Sequence, residues 1–190
     1  MELSFDPQMA ARLPGGEAVR AWRERNALTA AAMPAPDVDS EEWRYSRVGS
    51  LDASAYDVPE KPATGDLPEV AARALAGLGD HCGHLVTVDG HLVSAMGCAD
   101  AEAAGVTFAA AEDAELLGSV APEPADAFAA WNGALAATPL VLDIPRGTNL
   151  EAPFVVVNHV ASDAVATFPR LVVRCGENSS ASLIEVFTSD

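Results

Sequence analysis

The most constraining feature of this 190-residue chain is an abrupt change of pattern at Pro139. Beyond it, Leu140 to Ile144, Phe154 to Val160, Pro169 to Arg174 and Ser182 to Phe187 are short runs rich in Val, Ile, Leu and Phe. Turn residues such as Pro145-Arg146-Gly147 and Cys175-Gly176-Glu177-Asn178 separate them, and no helical period intervenes. Such a series folds either as an antiparallel sandwich of hairpins or as a β-solenoid whose strands stack as rungs. Strand starts at 140, 154, 171 and 183 lie 14, 17 and 12 residues apart, a spacing too irregular to choose between the two.

The chain before Pro139 reads differently. Glu17 to Ala32 has the composition and acidic start of a helix, with Ala18, Val19 and Trp22 on one face, and Met33-Pro34-Ala35-Pro36 ends it because proline cannot donate its amide. A second helix is expected after Asp66, with Pro68 in its first turn, Glu69 completing a capping box and Gly77 and Gly79 closing it. Asp89-Gly90 between Leu85-Val86-Thr87-Val88 and His91-Leu92-Val93 predicts a tight hairpin. Residues 100–137 are alanine-rich with a helical pattern, broken at Gly105 and Pro122-Glu123-Pro124, and end in an amphipathic stretch carrying Phe128, Trp131 and Leu135.

Charge narrows the function classes. Lys and Arg number 11 against 28 Asp and Glu, a net charge of −17, and 15 of the acids fall between residues 51 and 145. Nucleic acid is held by cations that neutralise phosphates, so no nucleic-acid partner is expected. No apolar run approaches the roughly 20 residues needed to span a bilayer. The start, Met1-Glu2-Leu3-Ser4-Phe5-Asp6, lacks the apolar stretch of a secretory signal. Cys82, Cys98 and Cys175 cannot all pair within one chain, so a reducing cytoplasm is the expected compartment.

Few residues point to chemistry. His81-Cys82-Gly83-His84, followed by His91 and Cys98, gathers ligand types that suit zinc, although no CxxC pair is present. His81, Cys82 and His84 are therefore the candidate metal ligands. A serine-nucleophile elbow and a phosphate-binding glycine loop are both absent. Trp43 and Tyr45, set among Glu42, Arg44 and Arg47, read as an anchor for a linker or as a contact for a partner.

Five stretches in order resemble one family. Glu42-Trp43-Arg44-Tyr45-Ser46 resembles the acid-flanked W-[KR]-Y-[ST] segment near the start of SufD-type proteins of the SUF iron-sulfur cluster assembly system. Leu85 to Val93 is similar to the family's strand-[ND]-G-strand hairpin, and Phe128-Ala129-Ala130-Trp131-Asn132 to its F-x-x-L-N helix. Ile144-Pro145-Arg146-Gly147-Thr148-Asn149-Leu150-Glu151-Ala152-Pro153 resembles its [IV]-P-x-G-x-x-L-E-x-P turn, and Phe168-Pro169-Arg170-Leu171-Val172-Val173 its [HF]-P-R-x-[LV]-[IV] strand.

The resemblance implies an α+β N-terminal domain over residues 1–137 and the first strands of a right-handed parallel β-helix over 138–190. It implies a cytoplasmic, non-catalytic scaffold that acts with a SufB-like subunit and a SufC-like ATPase, with no cofactor resident in this chain. It also implies that 190 residues are about half of a longer subunit. The alternatives are a metal-binding protein or enzyme built on the His81 to Cys98 cluster, and an unrelated β-solenoid binding module.

Overall fold

The computed structural model describes residues 5–190. Its helices are α1 (Gln8–Arg12), α2 (Glu17–Ala32), α3 (Glu69–Leu78), α4 (Ala99–Ala103), α5 (Ala114–Gly118) and α6 (Ala127–Leu135). Its strands are β1 (Gly83–Val88), β2 (His91–Gly97), β3 (Thr107–Ala110), β4 (Leu140–Ile144), β5 (Phe154–Val160), β6 (Leu171–Cys175) and β7 (Leu183–Ser189). Among the described residues no helix is long and apolar enough to cross a membrane.

Among the described residues seven strands make two mixed sheets. One has the order β2-β1-β5-β7 and the other β3-β4-β6. Each begins with an antiparallel pair, β1 with β2 and β3 with β4, and continues with parallel additions, β5 and β7 in the first and β6 in the second. The expected right-handed parallel β-helix is therefore not found: the chain is a small α+β protein with two mixed sheets and no solenoid among its described residues. The β-solenoid binding module falls with it. The physical reason lies in β2 and β3, whose antiparallel pairing gives each sheet a mixed polarity that the repeated coil of a solenoid lacks. Strand pairing also crosses residue 137, because β5 adds to β1 and β4 adds to β3.

Local chemistry explains the corners. Asp89 and Gly90 have φ of 51° and 85°, the two left-handed positions that join β1 to β2 with the twist a hairpin needs. At the far end of β4, Thr148 donates to Pro145 O at 3.2 Å and closes a turn, and the corner after β6 stacks on it through Gly147 N to Glu177 O at 2.9 Å. Gly176 is required by that stacking, since a Cβ there would overlap the backbone of Pro145 and Arg146.

The two sheets face each other through Leu85, Val156 and Leu140, with Phe108 and Leu171 beside them. Ala71 and Leu75 of α3 cover the outer face of the first sheet at Val86, Val155 and Val157. Val19 and Trp22 of α2 and Leu117 of α5 cover the outer face of the second at Val141 and Val172. Burial of each such Val or Leu contributes about 1.5–3 kcal/mol. Alanine makes up the α2 to α6 contact at Ala27, Ala30, Ala127, Ala130 and Ala134, where small side chains let two helices approach closely.

Several expectations need local correction. Ala18 is exposed, and the buried face of α2 instead carries Arg23 with Val19, Trp22, Ala27 and Ala30. Asp66 does not cap α3, which starts after Pro68 without a side-chain cap. The alanine-rich stretch expected to be helical contains β3, because the edge of β4 offers Thr107 to Ala110 a ladder and Phe108 reaches the interlayer.

Candidate functional site

Histidines and cysteines come first, because the sequence singled them out. The hairpin returns Cys98 to Cys82, with Cys98 N donating to Cys82 O at 2.7 Å, but leaves His91 at the other end, bonded to Pro59 O at 2.7 Å. Burial, then the neighbouring Cys98 and Asp100, raise the Cys82 thiol pKa to about 11, so it carries no thiolate at neutral pH. An open cleft of about 790 Å³ lies between Cys82, α4 and residues 147–152.

His81 and His84 form a directed chain. His81 Nδ1 donates to Gly79 O at 3.0 Å, which leaves His81 Nε2 to accept from His84 Nδ1 at 3.3 Å. His84 Nε2 then accepts the Ser94 hydroxyl at 3.2 Å. The ring centroids are 5.5 Å apart and the two nitrogens 3.3 Å, so the nitrogens lie nearly on the line between the rings. There they share one proton and do not converge on a third atom. Among the described residues no group of three or more His, Cys, Asp or Glu side chains is placed to hold a metal ion. Of the candidate ligands, His81 and His84 meet directly, whereas Cys82 packs with Ala101, Leu142 and Phe154.

Burial of His84, with His81 beside it, holds its pKa below the ordinary 6.5. As pH falls, the unfolded chain takes up this proton first. The contribution of His84 to stability is therefore intact above pH 6.5 and declines below it. Urea midpoints followed from about pH 8 to pH 5 are expected to fall more steeply for the wild type than for His84→Gln. Parallel profiles would show that His84 titrates alike in both states.

The aromatic pair separates. Trp43 is half-buried and meets Phe128 of α6 edge-on at 5.2 Å, whereas Tyr45 is 93% exposed. Elsewhere two motif-like stretches meet: Asn132 Nδ2 donates to Pro169 O at 2.8 Å, and Arg170 donates to Asn132 Oδ1 at 3.3 Å and to Leu117 O at 2.7 Å. The Arg170 guanidinium also lies 5.0 Å from the centre of the Trp22 ring. Trp131, beside Asn132, is buried against Phe5.

The most exposed apolar surface on the strands lies at β7 and β6. β7 and β6 are the outermost strands of their sheets, and Glu185 and Leu171 line one small cavity, so both free edges lie on the same side. Positions Leu183, Glu185 and Phe187 are in register with Phe154, Val156 and Asn158 of β5 and share their inward face. Phe154 and Val156 are fully buried, yet Leu183 is 38% exposed and Phe187 66%, and Val173 across the gap is 41% exposed. The interior between the sheets is open at this end.

A buried polar ladder reaches the opening. Thr87 Oγ1 donates to Asn158 Oδ1 at 2.9 Å, and Asn158 Nδ2 donates to Glu185 Oε1 at 2.8 Å. Asn158 is buried, so the amide holds a carboxylate at the free edge. The sequence signal for this end is β7 itself: Leu183, Ile184, Val186 and Phe187 make both of its faces apolar, as in a strand covered on two sides.

No protein-family model matches the chain, and no curated protein matches it.

Proposed function

We propose that this chain is a SufD-like scaffold component of the SUF iron-sulfur cluster assembly system, acting in the cytoplasm with a SufB-like subunit and a SufC-like ATPase. The observation that carries the reading is the shared order of five motif-like stretches from Glu42 to Val173. One further feature supports it. The F-x-x-W-N helix and the F-P-R strand are joined through Asn132, Pro169 and Arg170, which gives those residues a structural reason to occur together. In this role the chain hydrolyses nothing itself, and the cluster is cargo of the complex rather than a resident group.

Co-expression with a SufB-type subunit and a SufC-type ATPase tests the reading. A complex that survives affinity purification and size exclusion at stoichiometric ratio is the expected result. A chain that elutes alone while the other two associate would refute it.

A further inference from the structure

We propose that Cys82 and Cys98 are a redox-sensitive pair, which hydrogen peroxide closes into an intramolecular disulfide and a dithiol reductant reopens. The inference goes beyond the scaffold reading and does not rest on it.

Backbone register brings the two residues together. The β1 to β2 ladder ends with Gly83 opposite Gly97, and Cys98 N donating to Cys82 O at 2.7 Å carries the pairing one residue further. The strands run close there, since a Cβ on Gly83 would lie 2.6 Å from Met96 O. Opposed residues of an antiparallel ladder have Cα atoms about 4.5–5.5 Å apart, inside the roughly 4.4–6.8 Å that a disulfide spans. Both side chains enter one apolar cluster with Ala101, Leu142, Ile144 and Phe154, and the Cys98 side chain hydrogen-bonds with the Cys82 thiol. Cys175 is exposed on β6, in the other sheet.

Exposure and charge assign the roles. Cys98 is half-buried and Cys82 buried, so the oxidant meets the Cys98 sulfur first. Asp100 and Glu151 line the cleft beside Cys82, which favours a neutral oxidant over an anionic one such as glutathione disulfide. The Cys98 sulfur attacks one peroxide oxygen, the O–O bond breaks, and a sulfenic acid and one water form. The Cys82 sulfur then displaces the sulfenic hydroxyl, which takes the Cys82 proton and leaves as a second water. Two thiols thus lose two electrons and two protons, and one hydrogen peroxide is reduced to two waters. The raised Cys82 pKa agrees with this order, because a protonated thiol is a poor nucleophile toward free peroxide. The bridge fixes the base of the hairpin to the first turn of α4, where Cys98 Sγ already accepts from Ala101 N at 3.4 Å. In a reducing compartment such a bridge is transient.

Treatment of the full chain with hydrogen peroxide, followed by denaturation, N-ethylmaleimide and trypsin, tests the proposal. No Lys or Arg falls between Arg73 and Arg146, so one peptide, 74–146, carries Cys82 and Cys98, while Cys175 falls in 175–190. After peroxide the 74–146 peptide is expected to lose both labels and the mass of two hydrogens, and dithiothreitol is expected to restore both labels. The internal bridge should exceed any bridge to Cys175 by about tenfold, because the fold holds its two sulfurs together. Cys98→Ser is expected to leave Cys82 labelled, and Cys82→Ser to leave a Cys98 sulfenic acid that dimedone traps. The labelling of the wild type needs no variant, so it decides the matter even where a serine variant fails to fold. Two labels retained on 74–146 at a peroxide concentration that oxidises free cysteine overturn the proposal. So do bridges shared equally with Cys175, or an internal bridge that forms only in urea, either of which would show that the fold does not pair these sulfurs.

Discussion

Arg23→Ala is expected to lower the unfolding free energy by about 4 kcal/mol, more than a core Val→Ala change, because one side chain ties together three parts of the fold. Arg23 is fully buried on α2, and among the described residues its hydrogen-bond acceptors are all backbone carbonyls. Its Nε donates to Ala136 O at 2.9 Å, one terminal nitrogen to Leu13 O at 3.3 Å and Pro14 O at 2.7 Å, and the other to Ala137 O at 2.5 Å. Those carbonyls belong to the turn before α2 and the chain leaving α6. Burial, and then Arg20, lower the guanidinium pKa to about 10, which still leaves it charged at neutral pH. Alanine removes the buried stem, opens a cavity and leaves four carbonyls without a donor. Arg23→Lys is expected to lose about half as much, since a single ammonium cannot span carbonyls that a planar fork reaches. Urea unfolding followed by the fluorescence of Trp22 and Trp131 measures both, and a loss below about 1 kcal/mol for Arg23→Ala would exclude this role.

Asp89→Ala is expected to cost about 3 kcal/mol, from the loss of buried hydrogen bonds and from strain at a left-handed position. The Asp89 carboxylate is buried at the tip of the β1 to β2 hairpin. It accepts from Ala161 N at 2.9 Å, from Ser162 N at 3.2 Å and Oγ at 2.8 Å, and from Ala63 N at 3.2 Å. It thus joins the hairpin to the chain leaving β5 and to the segment before α3. Burial by itself raises the carboxyl pKa, but the four hydrogen bonds outweigh it and hold the pKa below the ordinary 3.8. Its contribution is therefore complete above that value and is lost as pH falls through the lower folded value. Asn tolerates the φ of 51° but offers one oxygen in place of two, so Asp89→Asn is expected to lose roughly half as much and to show a flatter acid profile. Hydrogen exchange at the Ala63, Ala161 and Ser162 amides should rise first; unchanged protection there would show that Asp89 is not the anchor.

Both residues illustrate what a sequence conceals. Asp89-Gly90 was legible as a turn because the constraint is local: two consecutive left-handed residues are cheapest for Asp, Asn and Gly. That the same carboxylate also receives the chain 72 residues later was not, since the partners are backbone amides and any residue supplies those. Arg23 was invisible for the same reason. Its period places it on the face of Val19 and Trp22, yet a charged residue at such a position reads as surface unless its carbonyl partners are known.

The candidate site was legible in part. His81, Cys82 and His84 are legible as a cluster, whereas the hydrogen bond that joins His81 to His84 and the packing of Cys82 among Ala101, Leu142 and Phe154 come only from the fold. Trp43 and Tyr45 were found as a pair, and only Trp43 has an aromatic neighbour, Phe128. The open end was written in β7 as an apolar pattern on both faces, but its meaning required knowing that β7 lies outermost.

By itself the sequence determined α2, β4, β5 and the turn of the hairpin to the residue, because period, proline and glycine act within one or two turns of chain, while β2 runs four residues beyond the expected Val93. Tertiary structure decided the architecture. Whether successive strands stack as a coil or divide between two mixed sheets depends on which edges are free when each strand arrives, and β2 and β3 occupy two of those edges in antiparallel sense. Pairing energy between distant strands carries no local signature in the residues that form it, so β3 in an alanine-rich stretch and the opening between β6 and β7 appear only when the sheets are assembled.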